Sequence, residues 1–161
     1  MVSINEYFET LAEKHLGHTP EECHFSNAAV FSAKVTRIMK YPCMGVDVDG
    51  WTVSGQNGNE FITVLYNMYF LSHVRDTHSL VELEKAFNEN FLTAMRVLHD
   101  MRELASKNDP WTPARYFEFN GSEGARIEFQ DAALYGYAVS VVFKIPFDYA
   151  FCLIEKGCSH I

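Results

Sequence analysis

Phe61-Ile62-Thr63-Val64-Leu65-Tyr66-Asn67-Met68-Tyr69-Phe70-Leu71 is the stretch on which the fold turns. Successive side chains of an extended chain point to opposite faces, so Ile62, Val64, Tyr66, Met68 and Phe70 share one face and Thr63, Leu65, Asn67, Tyr69 and Leu71 the other. Both faces carry large apolar groups. The pattern predicts a strand covered by helix on one side and by more protein on the other, which a partner subunit could supply.

Downstream, Ser79-Leu80-Val81-Glu82 is a capping box: a serine oxygen accepts an orphan backbone N–H and a carboxylate three residues on answers back. Leu83, Phe87, Phe91, Ala94, Leu98, Met101 and Ala105 follow on one stripe. A helix of about residues 80–106 results, roughly 40 Å long at 1.5 Å per residue. Lys107-Asn108-Asp109-Pro110 ends it and Trp111-Thr112-Pro113 forms a rigid connector. Tyr116 to Phe119 then reads as extended, Asn120 to Gly124 as a turn, and Arg126 to Gln130 as an alternating strand. The last long strand sets Tyr135, Tyr137, Val139, Val141, Phe143 and Ile145 in one register. Its other face, with Gly136, Ala138, Ser140 and Lys144, is small or polar apart from Val142, as in a half-buried antiparallel strand.

Upstream, Ser3-Ile4-Asn5-Glu6 caps a helix of about residues 4–16, with Ile4, Tyr7, Phe8, Leu11 and Leu16 at helical spacing and Gly17 to end it. Thr19-Pro20-Glu21-Glu22 repeats the signature and suggests a second helix through Phe25, Ala29, Ala33 and Thr36 before Tyr41-Pro42. Cys43 to Val48 reads as a strand, Asp49-Gly50 as a turn into Trp51-Thr52-Val53, and Ser54 to Asn59 as a polar loop. Helix, possible helix, two to three strands, long helix and three strands alternate too little for a doubly wound parallel sheet. The expected class is therefore α+β: a mostly antiparallel sheet with the N-terminal helix and one long helix packed on one face. The 161 residues are expected to make one domain, with a mobile tail from about residue 152.

Composition narrows the function classes. Thirteen Lys and Arg against twenty-one Asp and Glu give a net charge of −8, which argues against broad nucleic-acid binding. Aromatics could still stack on bases, but the candidate strands offer only Arg126 and Lys144 as basic partners. No signal peptide or membrane-spanning stretch is legible. Cys23, Cys43, Cys152 and Cys158 form no CxxC pair and are expected as four reduced thiols, with a Cys152–Cys158 bridge as the alternative.

Local chemistry is sparse. His73, Asp76 and His78 could converge on a metal across a turn, and Cys152, Cys158 and His160 could hold a soft one; ordinary polar loop and tail readings outweigh both. Asp47 and Asp49 read as the solvent side of Val46 and Val48 rather than as a cation site. Ser54 to Gly58 lacks a phosphate-loop pattern. Cys23, His24, Cys43 and His99 offer a nucleophilic pair only formally. We expect no catalytic residue, no metal and no cofactor. Thirteen Phe, eight Tyr and two Trp are more informative, with Tyr69, Trp111, Tyr116 and Tyr149 near element ends where rings bury area and keep a polar edge wet. Tyr66, Tyr69, Phe70, Tyr135 and Tyr137 are the interface candidates.

The N-terminal helix from Ile4, the entry Lys40-Tyr41-Pro42-Cys43-Met44-Gly45-Val46, the run Phe61 to Leu71, the Ser79-capped helix and the closing Ala133 to Phe143 together resemble the tail-terminator or tail-completion proteins of tailed bacteriophages and prophages. The likeness is one of element order over most of the chain, with no invariant motif. It implies a non-enzymatic virion component of the tail or neck, assembled in the host cytoplasm. Its partners would be copies of itself in a ring and neighbouring tail or neck proteins, with no sequence-specific nucleic acid and no membrane. An acidic lumen would repel passing DNA. The ring predicts that Tyr66, Tyr69 or Phe70 to Asp leaves a soluble monomer. Outside that resemblance, the competing expectations are a small cytoplasmic ligand-binding domain or enzyme with a pocket between long helix and sheet, and an adaptor for a host protein.

Overall fold

A computed structural model describes residues 2–25, 39–107, 109 and 112–154 of the chain. Helix α1 (Ile4–Leu16) starts where the Ser3 hydroxyl accepts from the Glu6 N–H at 3.2 Å while the Glu6 carboxylate accepts from the Ser3 N–H at 3.0 Å. It ends at Gly17, whose φ of 70° only glycine adopts without strain. The long helix, α3 (Leu80–Ser106), begins where the Ser79 hydroxyl accepts from the Glu82 N–H. There the box does not close on itself, because the Glu82 carboxylate instead accepts from the Asp76 N–H at 3.3 Å and so ties down the preceding loop.

Between these helices lie α2 (Pro20–Cys23), β1 (His24–Phe25), β2 (Cys43–Ser54) and β3 (Phe61–His73); β4 (Phe117–Phe129), β5 (Leu134–Pro146) and α4 (Phe147–Ile154) follow α3. The five strands form one sheet in the order β1-β2-β3-β5-β4, antiparallel except for the short parallel pairing of β1 with β2. The architecture is α+β, as the order of helix and strand patterns implies.

Helices α1, α3 and α4 lie on one face. Ile4, Phe8 and Leu11 of α1, Val97, Leu98 and Met101 of α3 and Leu153 of α4 meet Met68 and Phe70 of β3 and Val141, Phe143 and Ile145 of β5 in the main core. Phe8 is the hub of α1, its ring edge-on to Tyr66 at 5.5 Å and to Phe143 at 5.9 Å. On the other face Phe25, Cys43, Leu71 and Leu134 form a smaller core. Phe25 lies so close over Gly45 that a Cβ there would sit 1.7 Å from the ring, so this strand position requires glycine. One buried polar group braces α3 against the sheet: the Asn90 side-chain amide donates to the Tyr135 carbonyl at 3.2 Å and the Ser72 hydroxyl at 2.9 Å.

Several expectations are corrected. Phe25 is in a strand rather than on a helix beginning at Pro20, which ends at Cys23; Ala29, Ala33 and Thr36 lie outside the described residues. Asp49-Gly50 is not a turn. β2 runs through it with a bulge, Val48 facing Tyr66 and Gly50 facing Leu65. Asn120 to Gly124 is likewise no turn between two strands but part of β4, where the register breaks between Glu118 and Glu123, so two strands follow α3 and not three. Cys152 is disulfide-bonded while Cys23 and Cys43 are free, which overturns four reduced thiols; Cys158 of the alternative bridge lies outside the described residues. Cys152 and Leu153 belong to α4, with Leu153 wholly buried, and residues 155–161 of the expected tail lie outside the described residues.

Candidate functional site

Three of the five interface candidates do not reach the surface. Tyr66, Phe70 and Tyr135 face the helices and are 4%, 0% and 6% exposed, because their strand faces are those that α1 and α3 cover. Burial pushes the Tyr66 hydroxyl up to about 12. An aspartate at Tyr66 or Phe70 would therefore put a carboxylate into the core, and the expected soluble monomer is replaced by an unfolded chain. Tyr69 and Tyr137 are half-buried. Tyr69 stacks on Phe25 on the helix-free face, and burial, then Asp47 and Asp49, raise its hydroxyl above the usual tyrosine range. Tyr137 accepts at its hydroxyl from Arg126 Nε at 3.2 Å.

What stands outside is a different set. The Asp49 bulge shifts the alternation of β2 by one residue, so Val48 faces Tyr66, Trp51 faces Val64 and Val53 faces Ile62, all on the helix side of the sheet. The helices cover only the first part of that side. Val48, Trp51 and Val53 are left 51%, 66% and 49% exposed around a hollow of about 320 Å³ completed by Phe147. Beyond Gly45 no described strand pairs with the outer edge of β2, so backbone donors and acceptors run beside these side chains.

A second apolar feature lies at the opposite edge of the sheet. Between α3 and β4 a cleft of about 260 Å³ is lined by Phe91, Met95, Leu98, Phe119, Tyr137 and Ser122. The register break in β4 lies along it, residues 119–122 of β4 standing against the single Val141 of β5 between the Glu118 and Glu123 pairings. The Ser122 hydroxyl is buried with no hydrogen-bond partner among the described residues. Two guanidinium groups flank the lining rings: Arg102 over Phe119 at 5.3 Å, and Arg126, bonded to Tyr137 and over Phe87 at 4.7 Å.

The remaining polar candidates have local duties. Asp76 accepts from the His78 N–H at 3.0 Å in its own turn, and His73 sits beside the Tyr41 ring. Among the described residues no three His, Cys, Asp or Glu side chains gather where a metal could be held; Cys158 and His160 lie outside those residues. Asp47 faces Asn67 on the helix-free side, and Asp49 is the extra residue of the bulge. The Cys23 thiol donates to the His18 carbonyl, and burial raises both Cys23 and Cys43, keeping them protonated. His99 is exposed on α3. Lys144 lies over the Phe61 ring at 5.3 Å. Tyr116 is half-buried and Tyr149 exposed, while Trp111 lies outside the described residues. No described helix is long and apolar enough to cross a membrane.

Sequence reasoning missed Trp51, Phe91 and Met95 as surface residues. A signal was present for Trp51: an aromatic directly after Asp49-Gly50 fits a bulge as well as a turn. No protein-family model matches the chain, and neither does any curated protein.

Proposed function

We propose that this chain is a structural subunit that acts by closing into a ring with copies of itself, as a terminator or completion component of a phage or prophage tail or neck. The observation that carries this reading is the exposed apolar patch of Val48, Trp51 and Val53 beside a strand edge that has no partner strand among the described residues. A lone monomer gains nothing from holding a tryptophan two-thirds in water, whereas an interface core is built from such rings. The −8 charge keeps copies soluble before assembly and repels DNA afterwards.

Mass photometry with negative-stain imaging tests it. Purified chain at micromolar concentration is expected to form closed rings of one size. Monomers at every concentration up to about 100 μM would overturn the assembly reading, since a specific interface of about 800 Å² per partner holds well below that. A second reading, a small-molecule binder, draws on the cleft between α3 and β4. At about 260 Å³ that cleft is smaller than the roughly 300–1,000 Å³ of metabolite pockets, which favours a single protein side chain as its occupant.

A further inference from the structure

We infer that the ring contact is head-to-tail, with Trp51 of one copy inserted into the cleft between α3 and β4 of the next; this rests on the assembly reading above. Three observations support it. β2 and β4 lie toward opposite edges of the sheet, so one copy presents Trp51 on one flank and the cleft on the other. That is the arrangement a heterologous, ring-closing contact requires, and a self-complementary two-fold contact does not use it.

The two surfaces also match in size and polarity. The cleft is apolar and holds little more than one large side chain. Its buried Ser122 hydroxyl lacks a partner, and an entering indole brings one N–H donor that this oxygen can accept. Charge agrees as well. Asp49, the bulged residue, precedes Trp51 by two positions and Arg102 stands over the Phe119 ring of the cleft, so an approaching copy brings a carboxylate toward a guanidinium group; Asp47 points to the opposite face of the sheet and Arg126 already meets Glu84 at 3.7 Å. Glu123, also in the cleft lining, lies on the same stretch as Ser122 and sets the limit of that attraction.

The test uses the full chain and two variants that each spoil one side. Trp51→Ala keeps the cleft, and Met95→Arg, at a residue 43% exposed, keeps Trp51. Each alone is expected to be a folded monomer by circular dichroism and mass photometry. Mixed, they are expected to give a 1:1 dimer that grows no further, because one intact Trp51 meets one intact cleft. Ser122→Ala, which removes one oxygen and threatens no fold, is expected to weaken assembly roughly threefold to tenfold. If wild type forms rings and Trp51→Ala does so equally, or if the mixture stays monomeric, the head-to-tail contact is overturned while assembly stands. A wild type that never assembles overturns the assembly reading itself.

Discussion

Asp100, on the outer part of α3, joins two helices through one carboxylate. Lys14 and His15 at the end of α1 both reach Asp100 Oδ2, His15 Nε2 at 2.8 Å, with Asp100 21% exposed. The Lys14 bond first, and that of His15 after it, hold the carboxyl below its ordinary range against the opposing cost of burial. A carboxyl lowered by folding stabilises the native state above the unfolded pKa and loses that contribution as pH falls through the lowered value. Asp100→Asn is therefore expected to cost up to about 1 kcal/mol at neutral pH, as partly exposed ion pairs do. The gap between wild type and variant should close as pH drops below about 4. Urea midpoints from pH 7 to 3 check this; a gap unchanged at pH 3 would count against it. The same carboxylate contributes to raising the buried Tyr7 hydroxyl, after burial itself. None of this was legible in the sequence, because residues 14 and 100 are joined only by the packing of two helices.

The two long helices were the readable elements, the helix from Pro20 and the C-terminal Phe147–Ile154 were not, and strands were readable only between their irregularities. Residues 4–16 and 80–106 emerge from caps and apolar spacing because both signals are local. Asp49-Gly50 and Asn120 to Gly124 misled for the opposite reason. Glycine and acidic residues that close a hairpin also accommodate a bulge, and only the partner strand decides between them. Alternation locates the faces of β3 and β5 but not their cover, which is why Tyr66, Phe70 and Tyr135 read as interface rings from sequence although α1 and α3 lie over them. Trp51 was hidden by the same bulge. Docking of α1 depends on Phe8 between Tyr66 and Phe143. Phe8→Ala is expected to cost roughly 3–5 kcal/mol, the range for a buried ring cut to a methyl group. Hydrogen exchange should quicken in α1 before β5; equal protection in wild type and variant would contradict this account.

At the scale of the molecule, one core joins nearly every element: α1, β2, β3, α3, β5 and α4 all place residues in it. Such sharing predicts that the chain unfolds as a unit. Under conditions where it is monomeric, circular dichroism of α3 and intrinsic fluorescence should trace coincident urea transitions. Two separated transitions would mean that the smaller core of Phe25, Cys43, Leu71 and Leu134 melts independently.

The order of strands sets a timetable for synthesis. β5 is translated last of the five yet lies inside the sheet, between β3 and β4, with Val141, Phe143 and Ile145 fully buried. A nascent chain that has emerged only through β4 holds β1, β2 and β3 paired and a long helix with β3 but not β5 beneath it. Met68 and Phe70 wait without cross-strand neighbours on that side, and long-range pairing of this kind is slow. Folding must therefore finish after the ribosome has delivered residue 146, and overproduction at lower temperature, where waiting chains meet less often, is the condition that favours soluble protein.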